Sequence, residues 1–402
     1  VTARAADETV PALVLGPRVT ALGVVRALAA SRIPTWVVAD TADFTRWSRW
    51  YRGLSGGSVR WSDPDVLAED LARLDLPRAV LFPCSDASSI AVAGLTKPLA
   101  ERFPASAAPW TSQLVCTDKL KFSDALEHLG IPRPMTRRID SVEDLAGIPE
   151  ADFEDVFLKP RNSERFSADY RVKAFHCRGR REALESCERA LAAGHSMVLQ
   201  QYVPGPPDAH FFVDGFVDRD GNVRALFARQ RLRMEPPDFG NSSFMRSVSL
   251  EAVEPALTGL RRFLAHIAYR GMFSAEFKRD PRDGAFKILE LNARPWWYVG
   301  FARTCGVDVS RLAYLDALGE PVPEIDRYRV GLTCVYPRLD LRVYLRGRRN
   351  GGPSLVRVVR DWLGATQPVF TWSDPGPAVR EMLGALRGLV GKRFGPPRGA
   401  RG

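Results

Sequence analysis

The stretch KILELNARPWW, residues 287–297, decides how the chain is read. Ile288, Leu289 and Leu291 belong to a core, yet Glu290, Asn292 and Arg294 recur at every second position. Successive side chains of a strand point to opposite faces, so these three polar groups share one face. The preceding segment, FSAEFKRDPRDG at 273–284, is also strand-like and ends in a turn signal. A loop of Arg282, Asp283 and Gly284, with Gly284 left-handed, sets Pro281 against Ala285 and Glu276 against Glu290. Two carboxylates opposed across a hairpin repel, by roughly half a kcal/mol. A divalent cation removes the repulsion. Mg2+ takes oxygen ligands, keeps several waters and is usually held by one or two carboxylates together with substrate phosphates; Asn292 offers a third oxygen. Taken by itself, the hairpin is suggestive of a metal site, with a solvated, charged strand face as the alternative.

In full, FSAEFKRDPRDGAFKILELNARPWW resembles the metal-binding hairpin of the ATP-grasp ligases, the superfamily of biotin carboxylase, carbamoyl-phosphate synthetase and D-alanine-D-alanine ligase. There a Glu on one strand is followed by Glu-x-Asn-x-Arg on the next. The resemblance implies an α/β ATP-grasp fold behind a Rossmann-like N-terminal domain. It implies that Glu276, Glu290 and Asn292 hold Mg2+, or Mn2+ in its place, against ATP phosphates, and that Arg294 steadies the transferred phosphoryl group or acyl phosphate.

The remaining motifs follow in the order the resemblance implies. Lys119 in TDKLKF and Lys159 in VFLKP match two phosphate-contacting lysines, and Lys173 in RVKAF a further basic position of the uncharacterised carboxylate-amine ligase branch. LQQYVPG is similar to the hinge strand that holds adenine, which implies Gln200 and Gln201 at the base edge, Tyr202 and Val203 through backbone and packing, and Asp208 near the ribose. RQRLRMEPPDFGNSS resembles the same branch, with Arg231 and Arg233 for the γ-phosphate or an anionic substrate. Two departures stand out. KPRNSERFSADYR lacks the glycine-rich phosphate loop, so Arg161 and Arg165 stand where backbone amides would close over ATP, and Gln200 replaces a common glutamate.

Around these motifs, residues 12–40 read as strand, turn at Gly16-Pro17, helix and strand, half of a doubly wound unit, with a second round through 65–74 and the strand at 79–82 running into PCSD. No GxGxxG follows the first strand, which argues against a dinucleotide site. A capped helix over 117–130, strands at 155–160, 171–175 and 197–203, a hairpin through RDGN and a helix over 255–269 complete the pattern. The expected division is 1–114 for the N-terminal α/β domain, 115–195 and 196–330 for the two halves of an ATP-grasp unit, and 331–402 for a basic extension.

Composition supports this and limits alternatives. The 402 residues are 45% hydrophobic and 26% charged, ordinary globular material. Six scattered cysteines form no CxxC, so neither a zinc site nor a disulfide framework is expected, and the reduced cytoplasm is the simpler setting. No signal peptide or membrane span is read. The formal charge of +10 is concentrated at the end: from Arg338 onward thirteen Lys/Arg face four Asp/Glu. There Val379, Met382, Leu383, Leu386 and Val390 form a helical stripe flanked by Arg380, Arg387, Lys392 and Arg393. The stripe either docks on the protein's own core or meets an anionic membrane surface or an acidic partner. Nucleic acid is not expected, since no recognition module accompanies the charge.

No Ser/His/Asp or Cys/His constellation is visible, and His210, His266 and His128 read as structural. The resemblance implies a ligase that activates a small carboxylate as an acyl phosphate and couples it to an amine, without a covalent enzyme nucleophile. Trp296, Trp297 and Tyr298 either wall the acceptor pocket or pack. The competing readings are a kinase of the same fold, and a tail-mediated binding protein with a vestigial ligase domain.

Overall fold

The computed structural model describes residues 9–54, 59–161, 166, 169–170, 172–237, 240–348 and 352–394, the side chains of 388–394 excepted. Arg165 lies outside this set, as do the side chains of Val390, Lys392 and Arg393.

Three sheets organise the chain. The first is parallel, with order β2-β1-β3: β1 is Ala12–Leu15, β2 Thr35–Val38 and β3 Val80–Pro83. β1 is apolar at every position and buried throughout, as a central strand covered on both faces must be. Gly16 ends it at φ 137°, where an added Cβ would stand 3.0 Å from Cys84 Cβ, so the turn admits little beyond glycine. The helix Arg18–Ala30 then returns the chain to β2.

Two antiparallel sheets follow. The smaller has order β4-β7-β5-β6, from β4 (Thr136–Ile139), β5 (Val156–Pro160), β6 (Phe175–Cys177) and β7 (Met197–Gln201). The strand expected at 171–175 thus begins where that segment ends. The larger has order β12-β11-β8-β9-β10-β13, from β8 (His210–Val217), β9 (Val223–Glu235), β10 (Asn241–Val248), β11 (Gly271–Arg279), β12 (Phe286–Asn292) and β13 (Thr333–Val335). Its β8/β9 hairpin is the one expected around RDGN. The helix Glu254–His266 buries Leu257, Leu260, Phe263 and Leu264 together with Phe273, Ile288 and Leu291 of the sheet.

The β11/β12 hairpin reaches the anticipated pairing by another route. Asp280 faces Ala285, so the loop is one residue longer than expected, and Phe277 pairs with Ile288 rather than with Leu289. A bulge at Leu289 takes up the extra residue and brings Glu276 opposite Glu290. Leu289 consequently leaves the core and lines the cleft described below.

Residues beyond 331 are woven into the body. β13 pairs antiparallel with β10 as the edge strand. On the helix Pro337–Gly347, the buried carboxylate of Asp340 accepts from Ser243 Oγ (2.8 Å) and from Trp362 Nε1 (2.8 Å) of the helix Leu355–Leu363. Asp374 reaches the N-terminal domain, accepting from Arg26 Nε (2.9 Å), Ser48 Oγ (2.7 Å) and the Arg49 amide (2.8 Å). The stripe of the last helix, Gly376–Phe394, does not dock on the core: Val379, Met382, Leu383 and Leu386 are exposed. Ala378 and the contacts of Glu381 with Tyr336 and Arg338 hold the helix instead.

Candidate active site

The smaller and larger sheets face each other across a cleft of about 380 Å³, lined by β5, β7, β9, β11, β12 and the start of the helix Lys119–His128. Asp118 caps that helix, accepting from the amides of Leu120 (2.9 Å) and Lys121 (3.3 Å), and so fixes Lys119 at its first turn. Lys159, at the end of β5, donates to Gln200 Oε1 on β7 (2.6 Å), and Gln200 in turn donates to Thr136 Oγ1 (3.0 Å). Burial, then the nearby Lys119, drives the Lys159 ammonium down to about 8 despite the pull of Glu290 and Glu276. Burial also lowers Lys119, opposed by Glu290, Asp86 and Asp118. The two part-buried ammoniums repel one another across the cleft, and an anion between them would offset that repulsion.

Glu276 is part-buried and already bonded. His210 Nδ1 donates to its Oε1 (2.8 Å), and Arg231 Nη2 lies 3.0 Å from the same oxygen. Burial raises this carboxyl, but Arg231 and His210 outweigh it and hold the group well below the usual carboxylate range. Glu290 is exposed to the cleft and accepts from Asn292 Nδ2 (3.0 Å), while Arg294 Nη2 donates to Asn292 Oδ1 (3.0 Å). The pair therefore presents carboxylate oxygens, and Asn292 adds its oxygen only by turning its amide. An all-oxygen set with no thiolate or imidazole nitrogen suits a hard divalent cation.

Arg294 also pairs with Asp86 (2.7 Å), in the turn after β3 of the N-terminal domain. That turn is the PCSD segment, whose Ser85 makes a reciprocal cap with Ser88 of the helix Asp86–Ala93 that follows. A parallel strand thus delivers a carboxylate from its C-terminal end, where open α/β sheets place ligands. Asp86, Asp118, Lys119, Lys159 and Asn292 border a second cavity of about 460 Å³. Arg161 borders it too and is held by Asp118 (2.5 Å). On the opposite side Arg229, Arg231, Arg294, Trp297 and Tyr298 enclose a recess of about 160 Å³. Arg229 is buried against Asp214 (2.7 Å), with its guanidinium 3.8 Å from the Phe212 ring centroid.

Of the residues singled out in the sequence, Lys119, Lys159, Lys173, Gln200, Gln201, Tyr202, Val203, Arg231, Glu276 and Glu290 line the cleft, with Asn292 and Arg294 in the adjoining recess. Lys173 stands 3.4 Å from Asn241 Oδ1. Two residues depart from expectation. Asp208 is exposed in a turn before β8 and absent from the lining; its carbonyl accepts from Gln230 Nε2 (2.6 Å). Arg233 points away from the cleft and is gripped by Asp340 (2.8 and 2.7 Å) and Asp361 (2.7 Å). The cause is a bulge in β9: Arg231 pairs with Met245 but Arg233 with the adjacent Phe244, so the two arginines emerge on opposite faces.

The sequence reading missed His210 and Lys278. His210 is a partner of Glu276, kept neutral by burial at a pKa of about 4. Lys278 is buried in the cleft with Nζ 4.6 Å from the Tyr202 ring centroid and 3.3 Å from its hydroxyl. Continuing the alternation of β11 two residues past Glu276 reaches Lys278, and His210 is its neighbour across β8.

No protein-family model matches the chain. A D-aspartate ligase of Enterococcus faecium is 26% identical over 245 residues, 59% of this chain and 58% of that protein, so the match spans less than two thirds of the relative. Among solved structures, an L-amino acid ligase from Bacillus licheniformis superposes with TM-score 0.62 at 15% identity, covering 82% of this chain and 79% of that one. The biotin carboxylase domain of Hydrogenobacter thermophilus 2-oxoglutarate carboxylase, a complex with MgADP, ADP and bicarbonate, gives 0.63 at 15%, covering 81% and 74%. In the arrangement of its two antiparallel sheets the chain has the ATP-grasp fold of these structures.

Proposed function

We propose that the chain is an ATP- and Mg2+-dependent carboxylate-amine ligase. One observation carries the reading: the opposed carboxylates of Glu276 and Glu290, the part-buried ammoniums of Lys119 and Lys159 and the guanidinium of Arg231 all border one cleft ending in the strand of Gln200 and Gln201. The D-aspartate ligase match supports the C-N bond-forming class.

In this reading adenine lies against Gln200, Gln201, Tyr202 and Val203, while Lys119, Lys159 and Lys173 neutralise phosphate oxygens. Glu276, Glu290 and Asn292 hold Mg2+, with Mn2+ as an alternative of similar oxygen preference. A cation held by these residues would supply positive charge beside the phosphate oxygens. His210 fixes the carboxylate of Glu276, and Arg231 and Arg294 stabilise charge on the transferred group without rearranging. The arginine-floored recess suits the substrate carboxylate, and the cavity beside Asp86 and Asp118 leaves room for the amine, which reacts as the neutral base. Attack of the carboxylate on ATP gives an acyl phosphate and ADP; the amine then displaces phosphate. Dependence on ATP makes the cytoplasm the proposed location.

A panel of amino acids and other small acids, each paired with amines, is the test. Sustained phosphate release that needs both partners, with a condensed product by mass, supports the ligase. Phosphate transfer to one substrate that accumulates without any amine identifies a kinase.

A further inference from the structure

The outward surface of the helix Leu355–Leu363 has no place in the ligase reading. At about 100° per residue, Leu355, Val359, Leu363 and Val356 fall within an arc of about 100°. All four are exposed, Val356 by 79% and Leu363 by 84%. Arg360, exposed, borders this arc about 40° past Val356, and the exposed Arg357 lies about 60° farther round. The helix buries a different side: Val358 is covered, Trp362 donates to Asp340 and Asp361 accepts from Arg233. The outward apolar arc is therefore additional to the face that docks. Leu341 and Leu345 repeat the pattern on the neighbouring helix Pro337–Gly347, beside the exposed Arg342 and Arg346.

Charge complementarity names the occupant. The four acidic residues after Arg338 all have internal partners: Asp340 and Asp361 hold Arg233, Asp374 holds Arg26, and Glu381 holds Tyr336 and Arg338. None of them offsets the exposed Arg342, Arg357 and Arg360, whose charge is carried outward. We infer that this surface docks on an anionic lipid bilayer, the aliphatic side chains entering the headgroup boundary and the arginines meeting lipid phosphates. An acidic protein or a nucleic acid would satisfy the arginines but leave Val356 and Leu363 without a partner. Docking here tethers the enzyme at a membrane while the cleft stays open, because the helix holds β9 by its opposite side.

The test is co-sedimentation of the full chain with vesicles of phosphatidylcholine alone or with one-third phosphatidylglycerol, at low and high salt. Binding to the anionic vesicles only, weakened by salt, is expected. Val356→Glu/Leu363→Glu should lower the bound fraction by about fivefold or more, and Arg357→Glu/Arg360→Glu should do likewise, with unchanged ATP affinity reporting an intact fold. No binding to anionic vesicles overturns the inference. So does binding by the Val356→Glu/Leu363→Glu variant equal to the parent and abolished by poly-glutamate, which would mark a polyanion site.

Discussion

Arg231 and Arg233 look alike in the sequence and should fail differently when changed. Replacing Arg233 with Met removes the cation from Asp340, whose side chain is 0% exposed, and from Asp361. Breaking a buried pair by deleting one partner costs about 3–5 kcal/mol. Asp340 retains donors from Ser243 and Trp362, which argues for the lower end, about 3 kcal/mol. Unfolding entropy of about 2 cal/mol/K per residue gives the 402 residues about 0.8 kcal/mol/K. The loss then corresponds to a fall in melting temperature of about 4 °C for a chain that melts as one unit. Differential scanning calorimetry measures the shift, and initial rates at 20 °C measure catalysis. Arg233→Met should melt lower with nearly unchanged kcat, and Arg233→Met/Asp340→Leu should recover much of the stability, since an apolar pair can replace a buried ion pair. Arg231→Met should lose kcat by two orders of magnitude or more, about 3 kcal/mol of transition-state stabilisation. A collapse of kcat in Arg233→Met at unchanged melting temperature would refute the assignment of the two faces.

Three other outcomes follow from the site. Lys159 titrates at about 8 in the folded chain against an ordinary 10.5; its folded value is depressed, so the nucleotide-free protein gains stability as pH rises from about 8 toward the ordinary value. ATP affinity should move the opposite way, falling by up to about tenfold per pH unit above pH 8, with proton uptake on binding measured by calorimetry in buffers of different ionisation enthalpy; Lys159→Met should flatten the profile. His210→Ala removes the bond that orients Glu276 and should weaken Mg2+ activation by about 10–100-fold, read as a rise in the Mg2+ concentration giving half-maximal rate. Asp86→Ala frees Arg294 from the N-terminal domain and should raise KM for the amine more than for ATP, checked by initial rates with each substrate varied.

Much of this site was legible because its chemistry is written in short spacings. The Glu-x-Asn-x-Arg alternation, the capped helix that begins at Lys119 and the strand ending at Gln201 each follow from local rules, and their order supplied the fold. What escaped were single-residue irregularities and distant partners. A bulge turns Arg233 through the sheet, and a period-two reading has no means of registering it. The bulge at Leu289 offset a miscounted loop, so Glu276 met Glu290 for a reason other than the one deduced. Asp340 and Asp361 lie more than a hundred residues from Arg233, and Asp86 lies 208 from Arg294; charge pairs at such separations leave no periodic trace. His210 was set aside because a histidine at a strand edge has many structural uses, and only the register across β8 and β11 brings it to Glu276.

The account's central claim is that a carboxylate oxygen attacks the γ-phosphate of ATP in the cleft of Glu276 and Glu290. With the acid identified by the substrate panel and labelled with 18O in its carboxylate, mass analysis of the phosphate released during coupling tests this directly. The account predicts one 18O in each phosphate and one 18O kept in the amide carbonyl. Phosphate free of 18O, the lost oxygen appearing in water instead, would contradict it.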